Sequence, residues 1–224
     1  MKLPNVLKEI GAEADKEGIN AFVVGGFVRD TLLGINDKDI DIVVEANAID
    51  FAKIVIEKIN VGATLAVAQK GQGQALPLHI KTHEGFKTAT IEICGFRIDL
   101  VTARKERYKK PAAMPEITPA TIREDLFRRD FTINAMAISL NKKGFGKLID
   151  FYDGQKDLKE KKIRVLHDKS FIDDPTRIFR AIRFQKRLGF IVEQHTQKLM
   201  TDAIDIGMIQ KLKKQRVKKE LDLF

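Results

Sequence analysis

The sequence predicts an α/β fold: a mixed β-sheet with flanking helices, followed by an α-helical segment. Three observations carry this. Short runs that alternate apolar and polar residues gather between 63 and 104, the period of half-buried strands. From about 155 onward β-branched runs thin out and helical patterns replace them. The 224 residues, 44% hydrophobic and 32% charged, are enough to bury a sizeable core in a globular protein.

The elements follow in order. An amphipathic charged helix is expected near 3–17, in MKLPNVLKEIGAEADKEG, which has no signal-peptide apolar region. A strand AFVVG (21–25), a short helix FVRDTLLG (27–34), a strand IDIVV (40–44) and a helix AIDFAKIVIEKI (48–59) come next. Further strands are expected in ATLAVA (63–68), LPLHIKT (76–82), TATIEI (88–93) and FRIDLVTAR (96–104). Helices are expected in DDPTRIFRAIRFQKRLGF (173–190), TQKLMTDAI (196–204) and IQKLKKQRVKKELDLF (209–224). Gly154, within DFYDGQKDL (150–158), offers a turn, and a domain boundary is placed there, giving 1–152 and 153–224. No internal repeat or low-complexity tract interrupts the chain.

Composition narrows the function classes. No run reaches the roughly 18 apolar residues that a membrane helix needs, so a cytoplasmic protein with no membrane partner is expected. The single Cys94 excludes a disulfide framework and a cysteine zinc site, and four scattered histidines do not replace it. A net charge of +9 suggests a polyanionic partner such as nucleic acid. Positive residues crowd into 104–129, 156–187 and 211–219, while a group of carboxylates near residue 40 stands apart from them.

Those carboxylates sit in DKDIDIVV (37–44). Two-residue spacing in a strand puts Asp39 and Asp41 on one face, with Ile40 and Ile42 on the other. Two adjacent carboxylates repel unless a cation lies between them, and magnesium needs few protein carboxylates because water and phosphate oxygens complete its shell. Asp37 is an alternative member of the pair, but the apolar run that directly follows Asp41 favours Asp39 and Asp41. Upstream, Gly25 and Gly26 end a strand and open a helix carrying Arg29, so backbone N–H groups there can approach a triphosphate without a Cβ in the way. No GxxxxGK[ST] and no GxGxxG is present.

Together these residues resemble a known family. GGFVRDTLLG…DKDIDIVV is similar to the first motif of the eubacterial and eukaryotic class of tRNA nucleotidyltransferases that build the CCA end, and of the related bacterial poly(A) polymerases. EDLFRRDFTINAMA (124–137) resembles their second motif, DFYDGQKDL the third, DDPTRIFRAIRF (173–184) the fourth and KKQRVKKEL (213–221) the fifth. The fourth begins with Asp173 where the family has glutamate.

The resemblance implies a polymerase-beta-like nucleotidyltransferase head over 1–152 and a helical neck over 153–224. It implies template-independent transfer from CTP and/or ATP to a tRNA 3′ end, with Mg2+ at Asp39 and Asp41 and a third carboxylate, Asp99. It further implies that Arg129 and Asp130 hold the nucleotide near its ribose with Asn134 in support, that Asp174 and Arg177 read the base, and that Arg180 and Arg183 complete the site. At 100° per residue Arg177, Arg180, Arg183 and Arg187 share one half of their helix, while Ile178, Ala181, Ile182 and Leu188 fall mainly on the other. Val217, Leu221 and Phe224 form a terminal stripe that is expected to meet a helical body or tail segment or a partner chain. Poly(A) polymerase is the alternative enzyme, and a catalytically silent RNA-binding module the alternative of another class.

Overall fold

The computed structural model describes residues 3–35, 38–70 and 80–223, with backbone only over 60–70 and at 86. Two compact units emerge: Met1–Arg104 with Pro119–Ile122 and Ala137–Ile149, and Lys105–Thr118 with Arg123–Met136 and Asp150–Phe224.

In the first unit the chain forms α1 (Asn5–Lys16), β1 (Ala21–Val24), α2 (Gly26–Leu32), β2 (Asp39–Val44), α3 (Ala48–Lys70), β3 (Ile80–His83), β4 (Thr88–Ile93) and β5 (Phe96–Thr102). After a ribbon of β6 (Arg104–Arg107) and β7 (Glu116–Pro119) and the helix α4 (Ile122–Phe127), β8 (Met136–Ser139) and β9 (Leu148–Asp150) complete the sheet. Its order is β3-β4-β5-β2-β1-β8-β9, and it is mixed: β2 runs parallel to β5, whereas β1 is antiparallel to both β2 and β8.

Period-two alternation explains why β2 and β5 lie where they do. Ile40, Ile42, Ile98 and Leu100 are fully buried, while Asp39, Asp41 and Arg97 are exposed on the other face. Each buried side chain contributes roughly 1.5–3 kcal/mol before the entropy of ordering is subtracted. Helix α3 packs on β4 and β5, and α1 packs on α3.

One strand expectation fails. ATLAVA lies inside α3, which continues to Lys70. An apolar stretch with no charges carries no period of its own, so its length rather than its pattern decides between strand and helix. Of LPLHIKT, 76–79 lie outside the described residues, and β3 begins at Ile80 with every residue exposed rather than half-buried.

The second unit carries α5 (Gly154–Lys159), β10 (Lys162–Ile163), α6 (Ser170–Asp173), α7 (Thr176–Leu188), β11 (Ile191–Val192), α8 (Gln194–Asp205) and α9 (Lys214–Leu221). Gly154 is required by close approach, because a Cβ there would meet the Thr132 carbonyl oxygen at 2.4 Å. Helix α7 starts at Thr176 and not at Asp174, since Asp174 precedes Pro175 and is extended (φ −134°, ψ 92°). Its buried stripe is Arg177, Ile178, Ala181 and Phe184, whereas Ile182, expected on the apolar half, is 41% exposed. The last expected helix is broken at Leu212, which is extended, and α9 begins two residues later. Leu221 is exposed, and Phe224 lies outside the described residues. No described helix is long and apolar enough to cross a membrane.

Candidate active site

The register of the first unit assembles the carboxylates. Asp41 pairs across the β2–β5 ladder with Asp99, and Asp39 with Arg97. Residues directly opposite in a sheet share a face, so Asp39, Asp41 and Asp99 stand together on the exposed side of two neighbouring strands. Asp99 is braced from both sides. The Thr90 hydroxyl on β4 donates to it, and the Arg97 guanidinium lies 3.5 Å from its other oxygen. Arg97 is a member of this cluster that the sequence reading missed; its alternation with Asp99 in RID was the available signal. Asp37 lies outside the described residues.

The donor set is hard anionic oxygen, which suits a divalent cation such as magnesium or manganese. Among the described residues no three His, Cys, Asp or Glu side chains converge as a metal-enclosing group. Carboxylates exposed on one strand face fit a metal that completes its shell from water and phosphate.

At the β1–α2 turn, Gly25 has φ 70° and ψ −133°, a conformation open only to glycine, and Gly26 is the first residue of α2. Arg29 does not reach outward from this turn. It is 2% exposed, and its Nε and Nη2 each donate at 2.8 Å to the two oxygens of Asp30, itself fully buried. A bidentate pair that is desolvated on both sides locks the turn. The sequence reading sets Arg29 toward the triphosphate; its pairing with Asp30 is signalled by their adjacency in GGFVRD.

In the second unit the RRD segment is organised by a carboxylate that sequence reading passed over. Asp125 is fully buried, and its oxygens accept from Arg128 Nε (3.0 Å) and Nη2 (2.8 Å) and from Arg129 Nη2 (3.0 Å). Burial would raise the Asp125 carboxyl, but the charges of Arg129 and Arg128 hold it below the ordinary carboxylate range. The spacings of three and four residues put both arginines on the carboxylate's side of a helical turn, a signal legible in EDLFRRD. Arg129 Nε is buried and, among the described residues, finds no acceptor.

Asp130, Asn134 and Arg180 come together. Asp130 accepts from the Phe131 amide (2.8 Å), Asn134 Nδ2 (3.0 Å), and Arg180 Nε (2.8 Å) and Nη2 (2.6 Å). Burial works to raise its carboxyl, yet the charge of Arg180 and the hydrogen bonds of Asn134 and Arg180 bring it down to about 2. Arg177 is buried and donates to Ser170 Oγ (2.6 Å) and the Arg128 carbonyl (2.7 Å).

Asp174 and Arg177 are not an ion pair. Asp174 Oδ1 accepts from the Thr176 amide and hydroxyl and from Arg216 Nη2 at 2.8 Å. Arg216, in the fifth motif, also donates to the Ala112 carbonyl at 3.3 Å. Arg183 leaves the cluster and pairs with Glu220 on α9 at 2.8 Å.

Residues 21–164 match the family model described as the poly A polymerase head domain. The chain is 41% identical over 219 residues to the A-adding tRNA nucleotidyltransferase of Geobacter sulfurreducens, covering 97% of this chain and 23% of that protein. It is 42% identical over 205 residues to the same-named protein of Aquifex aeolicus, with 92% and 23% covered. The solved Thermotoga maritima CCA-adding enzyme complexed with tRNA superposes with a TM-score of 0.79 at 44% identity, over 98% of this chain and 46% of that one. The chain thus spans about a quarter of the length of those two curated relatives. With 144 of its 224 residues inside the matched region, the chain belongs to the family of the poly A polymerase head domain.

Proposed function

We propose that this chain is the catalytic portion of a template-independent nucleotidyltransferase that adds C and/or A to the 3′ end of tRNA. The observation that carries the reading is the register that sets Asp41 across from Asp99 with Asp39 two residues away on the same exposed face. In the reaction the 3′-hydroxyl of the RNA attacks the α-phosphorus of CTP or ATP, a phosphodiester forms, and pyrophosphate leaves. Nucleotidyltransferases of this kind generally act with divalent metal, and here we assign Mg2+ to Asp39 and Asp41. Bound there, it would supply charge neutralisation and a lowered hydroxyl pKa.

The chain's own residues do the rest. Asp99 stands beside Asp41 as the third carboxylate, able to accept the proton of the attacking hydroxyl. The glycine turn, locked by Arg29 and Asp30, presents backbone N–H groups to phosphate. Arg129, Asp130 and Asn134 hold the nucleotide near its ribose, Arg180 fixes Asp130, and Arg183 supports the helix from its pair with Glu220. Asp174 accepts from an exocyclic amino group and Arg177 donates to a ring nitrogen, a combination that suits cytosine and adenine and opposes guanine and uracil. We place the head at 1–152, the neck at 153–224, and the protein in the cytoplasm.

The names of the two curated relatives favour A-addition and that of the solved structure CCA-addition. The deciding experiment incubates the chain with tRNAs trimmed at successive 3′ positions, magnesium, and one nucleotide at a time, and sequences the products. Incorporation of C or A at the matching ends is expected; no incorporation with any of them contradicts the reading.

A further inference from the structure

A cavity of about 580 Å³ lies wholly within the second unit, the size of a small-molecule site. Its wall is aromatic. The Phe127 ring lies 5.7 Å from Tyr152 and 5.4 Å from His167, and Tyr108 lines the cavity with them. Phe127 is 45% exposed, an unusual state for a phenylalanine next to a buried Leu126. Burial and the charge of Arg177 hold His167 below its ordinary value, so its ring is a neutral aromatic surface at pH 7. Arg123 and Lys169 add positive charge. Of the four acids in the lining, Glu106 pairs with Arg128 at 3.1 Å and Glu124 with Lys105 at 3.7 Å, Asp168 lies 2.9 Å from His195 Nε2, and Asp173 is the fourth.

Rings with open faces beside guanidinium and ammonium groups are the chemistry that binds an unstacked nucleobase and its phosphates. Of the nucleotide-binding candidates in this unit only Arg177 lines the cavity; Arg129, Asp130, Asn134, Asp174, Arg180 and Arg183 do not. Arg177 is thus a shared wall between those residues and the cavity. Chain extension requires a second base beside the incoming nucleotide, namely the one already at the RNA end.

We propose that this cavity receives the unpaired terminal base of the RNA primer, with Phe127 as its stacking platform and Arg123 and Lys169 toward its phosphates. This deepens the proposed function and rests on it.

The test uses the full 224-residue chain and a short RNA ending in an unpaired 2-aminopurine, with fluorescence and affinity read in the presence of magnesium. Stacking quenches the fluorophore. Phe127→Leu should abolish the quench and weaken RNA binding by roughly 5- to 150-fold, the weight of one base–aromatic stack. Phe127→Trp should keep both, which separates loss of the ring from loss of the fold. A saturating non-transferable analogue of ATP or CTP, with an α,β-methylene bridge, should leave the quench in place; its release by either analogue shows that the cavity takes the incoming nucleotide, and overturns the proposal. So does an unquenched fluorophore in the unaltered chain. Incorporation measured in parallel tubes with ATP or CTP keeps the two readings apart: transfer without a quench in the nucleotide-free tubes removes the primer-base site alone, while a quench without transfer supports the site and contradicts the transferase reading.

Discussion

Arg180 on α7 grips Asp130 with Nε at 2.8 Å and Nη2 at 2.6 Å, joining residues fifty apart in the chain. Asp130 is 7% exposed and its carboxyl is held at about 2. A folded-state value below the ordinary 3.8 contributes stability that is present in full above about pH 4 and is lost as pH falls through 2. The contribution is roughly 2 kcal/mol. Denaturant titrations at pH 7 and pH 3 should show the unaltered chain losing more stability than Asp130→Asn between the two. Equal losses would mean that Asp130 is not held in its charged form. Arg180→Ala should cost about 1–3 kcal/mol at pH 7, less than a fully buried pair because the guanidinium is partly open to water.

The partner of Asp174 is Arg216, forty-two residues away, not Arg177. If Asp174 selects the base, its orientation depends on that guanidinium. Asp174→Ala should lose discrimination against UTP and GTP by about tenfold, near 1.4 kcal/mol. Arg216→Ala should shift the ratios the same way by less. Wild-type ratios of CTP and ATP to UTP and GTP incorporation in Asp174→Ala and Arg177→Ala would place base choice elsewhere.

Gly154→Ala pushes a methyl group against the Thr132 carbonyl oxygen and the Met136 side chain. Overpacking of this sort costs about 1–3 kcal/mol. A thermal midpoint equal to that of the unaltered chain would show that the close approach is not tight.

Basic tracks that touch only phosphates give affinity without selectivity. With about four such contacts, RNA binding should weaken roughly 50-fold between 50 and 200 mM salt, and tRNA and unrelated RNA should compete about equally. Tight, salt-resistant and tRNA-selective binding would show that this chain holds recognition surfaces beyond the charge tracks.

What was legible in the sequence was what short-range periodicity encodes. DIDIVV and RIDLV announce one polar and one apolar face, and the ladder then brings Asp41 and Asp99 side by side. The extension of α3 through 63–68 was not legible, because small apolar residues without charges fit either period. Nor were the partners of the arginines. Pairings such as Arg180 with Asp130 and Arg216 with Asp174 close loops of forty to fifty residues, and local spacing carries no information about them. Arg29 illustrates the intermediate case: its partner was adjacent, but only burial showed that the pair faces inward.

The carboxylates on β2 carry the central claim, and the direct measurement is nucleotide incorporation by Asp39→Ala and Asp41→Ala at saturating magnesium, alongside thermal unfolding. Both residues are exposed on a strand whose other face is the core, so neither truncation opens a cavity. Each variant is expected to unfold within a few degrees of the unaltered chain and to lose incorporation by at least 1,000-fold, or about 4 kcal/mol of transition-state stabilisation. Near-normal turnover in either variant would contradict a reaction centred on Asp39 and Asp41.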